Sequence, residues 1–261
     1  ALPNFNGSLA FLVTSDEEGP ATDGTKRVVE KLYARGESID WGIVGEPSSS
    51  QEIADTVRVG RRGALTGRLV VRGRSGHVAY PEQIDNPVPR VANFLDKMHT
   101  TVWDEGSEHF PPTGFQVVEL QSGGIAANVT PPDLVLQFNF RYSPAVHHSE
   151  LVHRVERMLA GSGIEEKIDW HLSGEPFLTE RCRLVDCVTT SIRAITGKEP
   201  LLSTGGGTSD GRFLAPRGID VVELGPVNAS IHQPNESVAV ADLAILCEIY
   251  EGILAAMLAS A

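Results

Sequence analysis

Residues 133–141, DLVLQFNFR, alternate strictly: Leu134, Leu136, Phe138 and Phe140 face one way, and Gln137, Asn139 and Arg141 the other. A period of two with one apolar side predicts a strand with one buried face. Working outward, residues 64–73 (ALTGRLVVRG), 114–122 (GFQVVELQS) and 167–173 (KIDWHLS) also read as strands. Two helices separate them. One covers residues 86–100, with Val88, Val91, Leu95 and Met98 on one face; the other covers 149–161, with Leu151, Val155 and Met158 in register. The order strand-helix-strand-strand-helix-strand predicts an α+β split-βαβ (ferredoxin-like) domain over residues 63–176. Such a sheet leaves one face or an edge bare, and a second copy of the chain is the commonest cover, so a dimerisation role is expected.

The flanks, residues 1–62 and 177–261, follow a different grammar. Leu9 to Val13 is an unbroken apolar run, the pattern of a strand covered on both faces of a parallel sheet. A helix capped by Asp23 carries Val28, Val29 and Leu32 inward and stops at Gly36, and DWGIVGEPS (40–48) supplies a strand ending at Glu46. Later come a helix over 183–196, the loop STGGGTSDGRF (203–213), a strand IDVVELG (219–225), a loop PVNASIHQPNES (226–237) and a closing helix over 241–258. This predicts an α/β domain with an open, mainly parallel sheet, interrupted by the inserted α+β domain. Ligands in such sheets collect at the carboxyl ends of the strands.

Chemistry-bearing residues stand at those ends. Glu17 and Glu18 follow the first apolar run, and Glu46 ends the next strand. An isolated acidic pair is ordinarily a solvated turn near a helix N-terminus. At the end of a buried strand, however, desolvation raises both carboxyl pKa values unless a cation compensates, and a metal would let one carboxylate ligate while its neighbour serves as a base. His232 lies in the last loop, at the same edge of the sheet; a loop histidine is ordinarily solvated, but with two carboxylates it makes a set suited to Zn²⁺ or a similar ion. His77, in GRSGHVAYP (73–81), is either incidental to a turn or a hydrogen-bond donor to an oxyanion when the insert closes. Arg61, Arg62 and Arg141 read as surface charge or as a bidentate clamp for a substrate carboxylate. The glycine run 205–207 lacks the lysine and spacing of a phosphate loop, and no G-x-S-x-G elbow supports a serine triad.

A formal charge of -12 disfavours nucleic acid and anionic membranes as partners. No apolar run approaches the ~20 residues of a membrane span. The three cysteines, Cys182, Cys187 and Cys247, match no zinc knuckle or disulfide scaffold, so buried thiols in a reducing, cytoplasmic compartment are expected.

Together, SDEEG (15–19), VGEPS (44–48), GRRGALTG (60–67), SGHVAYP (75–81), ANVTPPDLVLQFNFRYS (127–143), GGGTSDGRF (205–213) and SIHQPNESV (230–238) resemble the succinyl-diaminopimelate desuccinylases. These belong to the dinuclear zinc aminoacylase and carboxypeptidase group. The resemblance covers essentially the whole chain and implies hydrolysis of an N-succinyl amide, N-succinyl-LL-2,6-diaminopimelate, by a homodimer carrying two Zn²⁺ per subunit, with Co²⁺ or Mn²⁺ as substitutes. It implies Glu17 as general acid/base, Glu18 and His232 as ligands of one zinc, and Glu46 as a ligand of the other. His77 would reach the active site of the dimer partner, and Arg61, Asn128, Arg141, Ser173, Gly207, Thr208 and Asn228 would contact the small-molecule substrate. Ala127 departs from relatives with a second asparagine. The family also carries an H-x-D motif and a bridging aspartate in an N-terminal segment of roughly a hundred residues. None of the eight histidines here has Asp two places on, so the chain is expected to match the C-terminal two-thirds of such an enzyme and to be inactive alone. Two rivals remain: an acetylornithine deacetylase-like amidohydrolase, and a non-catalytic dimerising relative.

Overall fold

A computed structural model describes residues 7–19, 21–123 and 126–259. The chain divides into two units: one runs to Arg61 and resumes at Phe177, and the other spans Arg62–Pro176.

The first unit opens with α1 (Thr25–Ala34), followed by β1 (Trp41–Val44), β2 (Thr56–Arg58) and β3 (Gly60–Arg61). The second contains β4 (Gly63–Arg72), α2 (Pro87–Thr100), β5 (Gly114–Ser122), β6 (Asp133–Tyr142), α3 (His148–Ala160) and β7 (Asp169–Gly174). The first then resumes with β8 (Phe177–Leu178), α4 (Arg183–Thr196), β9 (Leu201–Ser203), α5 (Gly211–Leu214), β10 (Asp220–Glu223) and α6 (Val240–Leu258).

In the first unit the sheet order is β1-β10-β2-β9, with β1 and β10 parallel, β10 and β2 antiparallel, and β2 and β9 parallel. The sheet is therefore mixed rather than mainly parallel. Val221 and Val222, neighbours on β10, must point to opposite faces, and both are fully buried. Helices accordingly cover both sides. Val222 and Leu224 pack with Leu184, Val188 and Ile192 of α4 and with Leu246, Ile249 and Ile253 of α6. Val221 packs with Phe177 and Ile219, against Tyr33 of α1 and Leu214 of α5. Glu223, one residue beyond Val222, shares the Val221 side.

In the second unit all the pairings are antiparallel, in the order β5-β6-β4-β7. The residues singled out on β6, Leu134, Leu136, Phe138 and Phe140, are all buried. They pack beneath Val91, Phe94 and Met98 of α2 and Leu151, Val155 and Leu159 of α3. Phe138 sits at the centre, with Phe94, Phe115, Phe140 and Trp170 around its ring at centroid distances of 5.5–6.5 Å. It lies directly across from Gly67 on β4, where an added Cβ would come 2.4 Å from the Phe138 ring. The glycine is the hollow into which the ring packs.

Several expectations are corrected. Residues 9–13 form no strand: they pair with no neighbour among the described residues, and Phe11 and Val13 are 85% and 91% exposed. Apolar composition permits burial but supplies no ladder partner. Asp23 does not cap α1; Gly24 holds that position, and the Asp23 carboxylate pairs with Arg27 one turn on. On α2, Val91 and Met98 face inward as expected, Phe94 joins them, and Val88 is exposed. Cys182 and Cys187 are only half-buried and Cys247 is exposed, all three as free thiols.

Gly67→Ala should force the Phe138 ring out of its packing and cost ~1–3 kcal/mol, the range for overpacked cores, read as a lowered denaturation midpoint. An unchanged midpoint would mean the ring yields freely.

Candidate functional site

The parallel pair β1 and β10 places two acids at adjacent strand ends. Glu223 is the last residue of β10, opposite Val44, and Glu46 lies two residues beyond Val44. A set of backbone and hydroxyl bonds fixes the chain just past each strand. Leu224 N–H donates to Val44 O at 3.0 Å, Gly225 N–H to Ser48 Oγ at 3.1 Å, Ser49 Oγ to Gly225 O at 2.8 Å, and Asn228 N–H to Ser49 O at 2.9 Å. A Cβ on Gly225 would lie 2.3 Å from Glu46 O, so only glycine lets the two segments run this close. The staple joins the segment carrying Glu46 to the loop carrying Asn228 and His232. Within that loop Ser230 Oγ accepts from Ser237 N–H at 3.0 Å, and His232 is held at φ +58°. Left-handed backbone at a non-glycine residue costs of order 1–2 kcal/mol and persists only where the surrounding structure imposes it.

Glu17 and Glu18 project from a turn built by Asp16. Its Oδ2 accepts from Thr22 N–H at 2.7 Å and Asp23 N–H at 2.9 Å, and its carbonyl accepts from Gly19 and Ala21. Beyond the turn, Thr25 Oγ1 at the start of α1 donates to Asp210 Oδ2 at 2.5 Å. This ties the acidic turn to the loop after β9. Asp210 is buried, and its Oδ1 has no partner among the described residues.

Electrostatics shows that these groups share one space. Glu17 is raised above the ordinary carboxylate value by burial first, then by the charges of Glu18 and Asp210, with Arg212 and His232 opposing. Glu46 is pushed up to about 7, by burial, then Glu17 and Glu223, with Arg61 opposing and Glu18 adding to the rise. Glu17 and Glu46, both half-buried, thus feel the charge of exposed Glu18; Glu17 also feels those of buried Asp210 and exposed His232, and Glu46 that of buried Glu223.

Arg61 supplies little of the missing charge. It is buried, with Nε 2.9 Å from both Glu223 carboxylate oxygens, Nη2 on Glu223 Oε2 and Nη1 2.9 Å from Gly205 O. Ser209 Oγ donates to the other side of Glu223. The clamp expected of Arg61 is thus directed to the fold, where it ties the glycine run to the sheet. Arg141, with its pKa lowered by burial and then by Arg62, lies in the second unit. Ser173 lies there too, as the extra residue of a β-bulge: Gly174 pairs with Ala64, and Leu172 with the next residue, Leu65. His77 is exposed in that unit, with Nδ1 accepting from Ala79 N–H at 3.1 Å and Nε2 3.0 Å from the Asn128 amide. Gly207 is exposed and Thr208 half-buried, both on the loop after β9.

Glu18, Glu46 and His232 do not close into a triad with all ligand atoms within 4.8 Å; among the described residues only His147, His148 and Glu175 do so. Sequence reasoning missed Asp16, Glu223 and the Ser48–Ser49 staple. The available signals were the first acid of SDEE and a lone acid inside the apolar run VVELG.

Residues 1–256 match the model of Peptidase family M20/M25/M40. A protein of Alkalilimnicola ehrlichii named succinyl-diaminopimelate desuccinylase is 57% identical over 252 residues, covering 97% of this chain and 67% of its own length. A protein of Halorhodospira halophila with the same name is 52% identical over 259 residues, 99% of this chain and 68% of its own. The chain thus spans about two thirds of the length of these curated relatives. Among solved structures, an M20 family metallo-carboxypeptidase from Sulfolobus solfataricus superposes with a TM-score of 0.73 at 15% identity, over 89% of this chain and 66% of that one. At that identity it speaks for the fold alone.

Gly225→Ala should cost ~1–3 kcal/mol, because the new methyl meets the backbone of Glu46 rather than a side chain that can swing away. Gly207→Ala, whose new methyl would have nothing within 4 Å, should leave the denaturation midpoint unchanged. Equal effects of the two substitutions would show that the staple tolerates the methyl and does not depend on glycine.

Proposed function

The chain belongs to peptidase family M20/M25/M40, and from that premise we propose that the whole protein is a succinyl-diaminopimelate desuccinylase. The reaction is hydrolysis of the amide of N-succinyl-LL-2,6-diaminopimelate to succinate and LL-2,6-diaminopimelate. The observation that supports this reading is that Glu17 responds to the charges of Glu18 and His232, and Glu46 to those of Glu17 and Glu18, in a chain 50–57% identical to proteins of that name.

The donor set fits a divalent metal. Glu17 and Glu46 are half-buried with Glu18 and His232 exposed beside Glu17, Glu46 holds its proton up to about 7, and Arg61, the guanidinium that opposes that rise, is already paired with Glu223. Glu18 and His232 would hold one Zn²⁺ and Glu46 the other, with Co²⁺ or Mn²⁺ accepted by the same ligands. When bound, such ions supply Lewis acidity to the amide carbonyl and to the attacking water.

The chain's own residues do the rest. Glu17 takes the proton of the water and delivers it to the leaving amine, a double duty suited to a carboxylate whose proton affinity burial has raised. His77 donates a hydrogen bond to the oxyanion. Its Nδ1 accepts a backbone N–H, which leaves Nε2 as the donor once it turns from the Asn128 amide to the oxyanion. Arg141, Ser173, Asn128, Thr208, Gly207 and Asn228 bind the substrate, and Arg61 acts by holding the glycine loop in place. His77 is proposed to act in the partner of a homodimer formed through the inserted unit. Support comes from β5, an edge strand whose Val118 and Leu120 are 57% and 56% exposed. No helix among the described residues is long and apolar enough to cross a membrane. A reducing cytoplasm suits the three free thiols.

In the whole protein, Glu17→Gln should lower kcat by at least ~10²-fold, the scale of a lost general base, with metal content retained. His77→Ala should lower kcat more than it raises KM. Turnover of N-acetylornithine in preference to succinyl-diaminopimelate would overturn the substrate assignment while leaving the reaction class intact. Absence of any amide hydrolysis would favour a dimerising relative without catalysis.

A further inference from the structure

The triad of His147, His148 and Glu175 lies wholly within the second unit, and none of its members has a role in the proposed reaction. His147 caps α3, His148 is its first residue, and Glu175 follows the end of β7. His148 Nδ1 stands 2.5 Å from Glu175 Oε1, and His147 Nε2 stands 3.7 Å from the same oxygen. One potential ligand atom from each residue therefore faces a common point.

The remaining polar atoms of two of these side chains have partners of their own. Glu175 Oε2 accepts from the buried Tyr142 hydroxyl at 2.8 Å, which fixes the carboxylate and leaves Oε1 turned to the imidazoles. His147 Nδ1 accepts from Ser149 N–H at 3.3 Å as the cap of α3 and lies 2.8 Å from Ser149 Oγ; a metal on Nε2 would move the ring proton to Nδ1, where the Ser149 hydroxyl can accept it at the expense of the cap bond. Such outer contacts orient ligands and set the tautomer. The imidazole rings, 4.2 Å apart and tilted by 40°, offer different nitrogens to the same point.

We infer that His147, His148 and Glu175 form a binding site for a borderline divalent transition-metal ion, separate from the strand-end carboxylates. Two nitrogens and one oxygen suit Zn²⁺, Ni²⁺ or Cu²⁺ rather than Mg²⁺ or Ca²⁺, which favour all-oxygen shells. Zinc bonds of about 2.0–2.2 Å in a tetrahedron put ligand atoms roughly 3.3 Å apart. His148 and Glu175 would open by less than ~1 Å, and His147 would close slightly, movements open to side chains that are 30%, 32% and 64% exposed. A fourth position remains for water. The ion would cross-link the end of β6, through Tyr142, to the start of α3 and the end of β7.

The inference is independent of the proposed reaction, and its test keeps the two apart. In a Glu18→Gln, Glu46→Gln, His232→Ala background, equilibrium dialysis against Zn²⁺ at near-neutral pH should retain one ion per chain, and zinc should raise Tm. Adding His148→Gln or Glu175→Gln should remove that ion and the Tm rise, with far-UV circular dichroism unchanged. Independently of any substitution in the triad, zinc should shift the ring ¹⁵N resonances of His147 and His148 and leave those of His99 and His109 in place. No retained zinc in the background chain, the same zinc count after either triad substitution, or unmoved His147 and His148 signals would overturn the inference.

Discussion

Carboxylates of like charge repel one another, and burial strengthens the repulsion; at the carboxyl edge of the first unit's sheet both conditions hold at once. Glu46 and Glu223 are brought there by the parallel register of β1 and β10, and Glu17, Glu18 and Asp210 by loops tied to the same edge. A fold gains nothing from such crowding on its own account, since each ionised acid loses hydration without a matched partner. One of the acids is compensated internally: Glu223, fully buried, is held by Arg61 and Ser209. Breaking a pair of this kind is far more costly than never having built it, because a buried charge is left alone. The rest form a surplus of donors that a divalent cation would discharge.

The surrounding structure serves to keep that surplus in place. Gly225 allows the strand-end segments to touch, Ser48 and Ser49 stitch them together, and the Asp16 turn fixes the direction in which Glu17 and Glu18 project. The Thr25–Asp210 bond joins the start of α1 to the loop after β9. None of these residues needs to touch substrate. Their work is to hold acids nearer together than the acids themselves favour, which is the preorganisation a hydrolytic site requires.

Much of this was legible from residues alone, and where it was not the reason is physical. DLVLQFNFR declared its strand and its buried face because alternation over nine residues has one reading, and the apolar face of α3 was equally plain. The strands Thr56–Arg58 and Leu201–Ser203 are three residues long, too short to show a period, and they exist because each finds the other across the sheet. Residues 9–13 are the converse: strongly apolar yet without a ladder. The acids at strand ends could be read as a site from their positions. That Arg61 is spent on Glu223, 162 residues away, could not, since a charge is visible in sequence and its partner is not.

The central claim is that this geometry crowds Glu46 into a site short of positive charge, and its proton affinity reports on that directly. The Glu46 carboxyl carbon, assigned by its loss in Glu46→Gln, can be followed by NMR across a pH titration of the chelator-treated protein. A midpoint near about 7 is expected, because burial and the neighbouring carboxylates Glu17 and Glu223 hold the proton on. A midpoint at the ordinary 4.5 would contradict the claim, for the acids would then be solvated and apart.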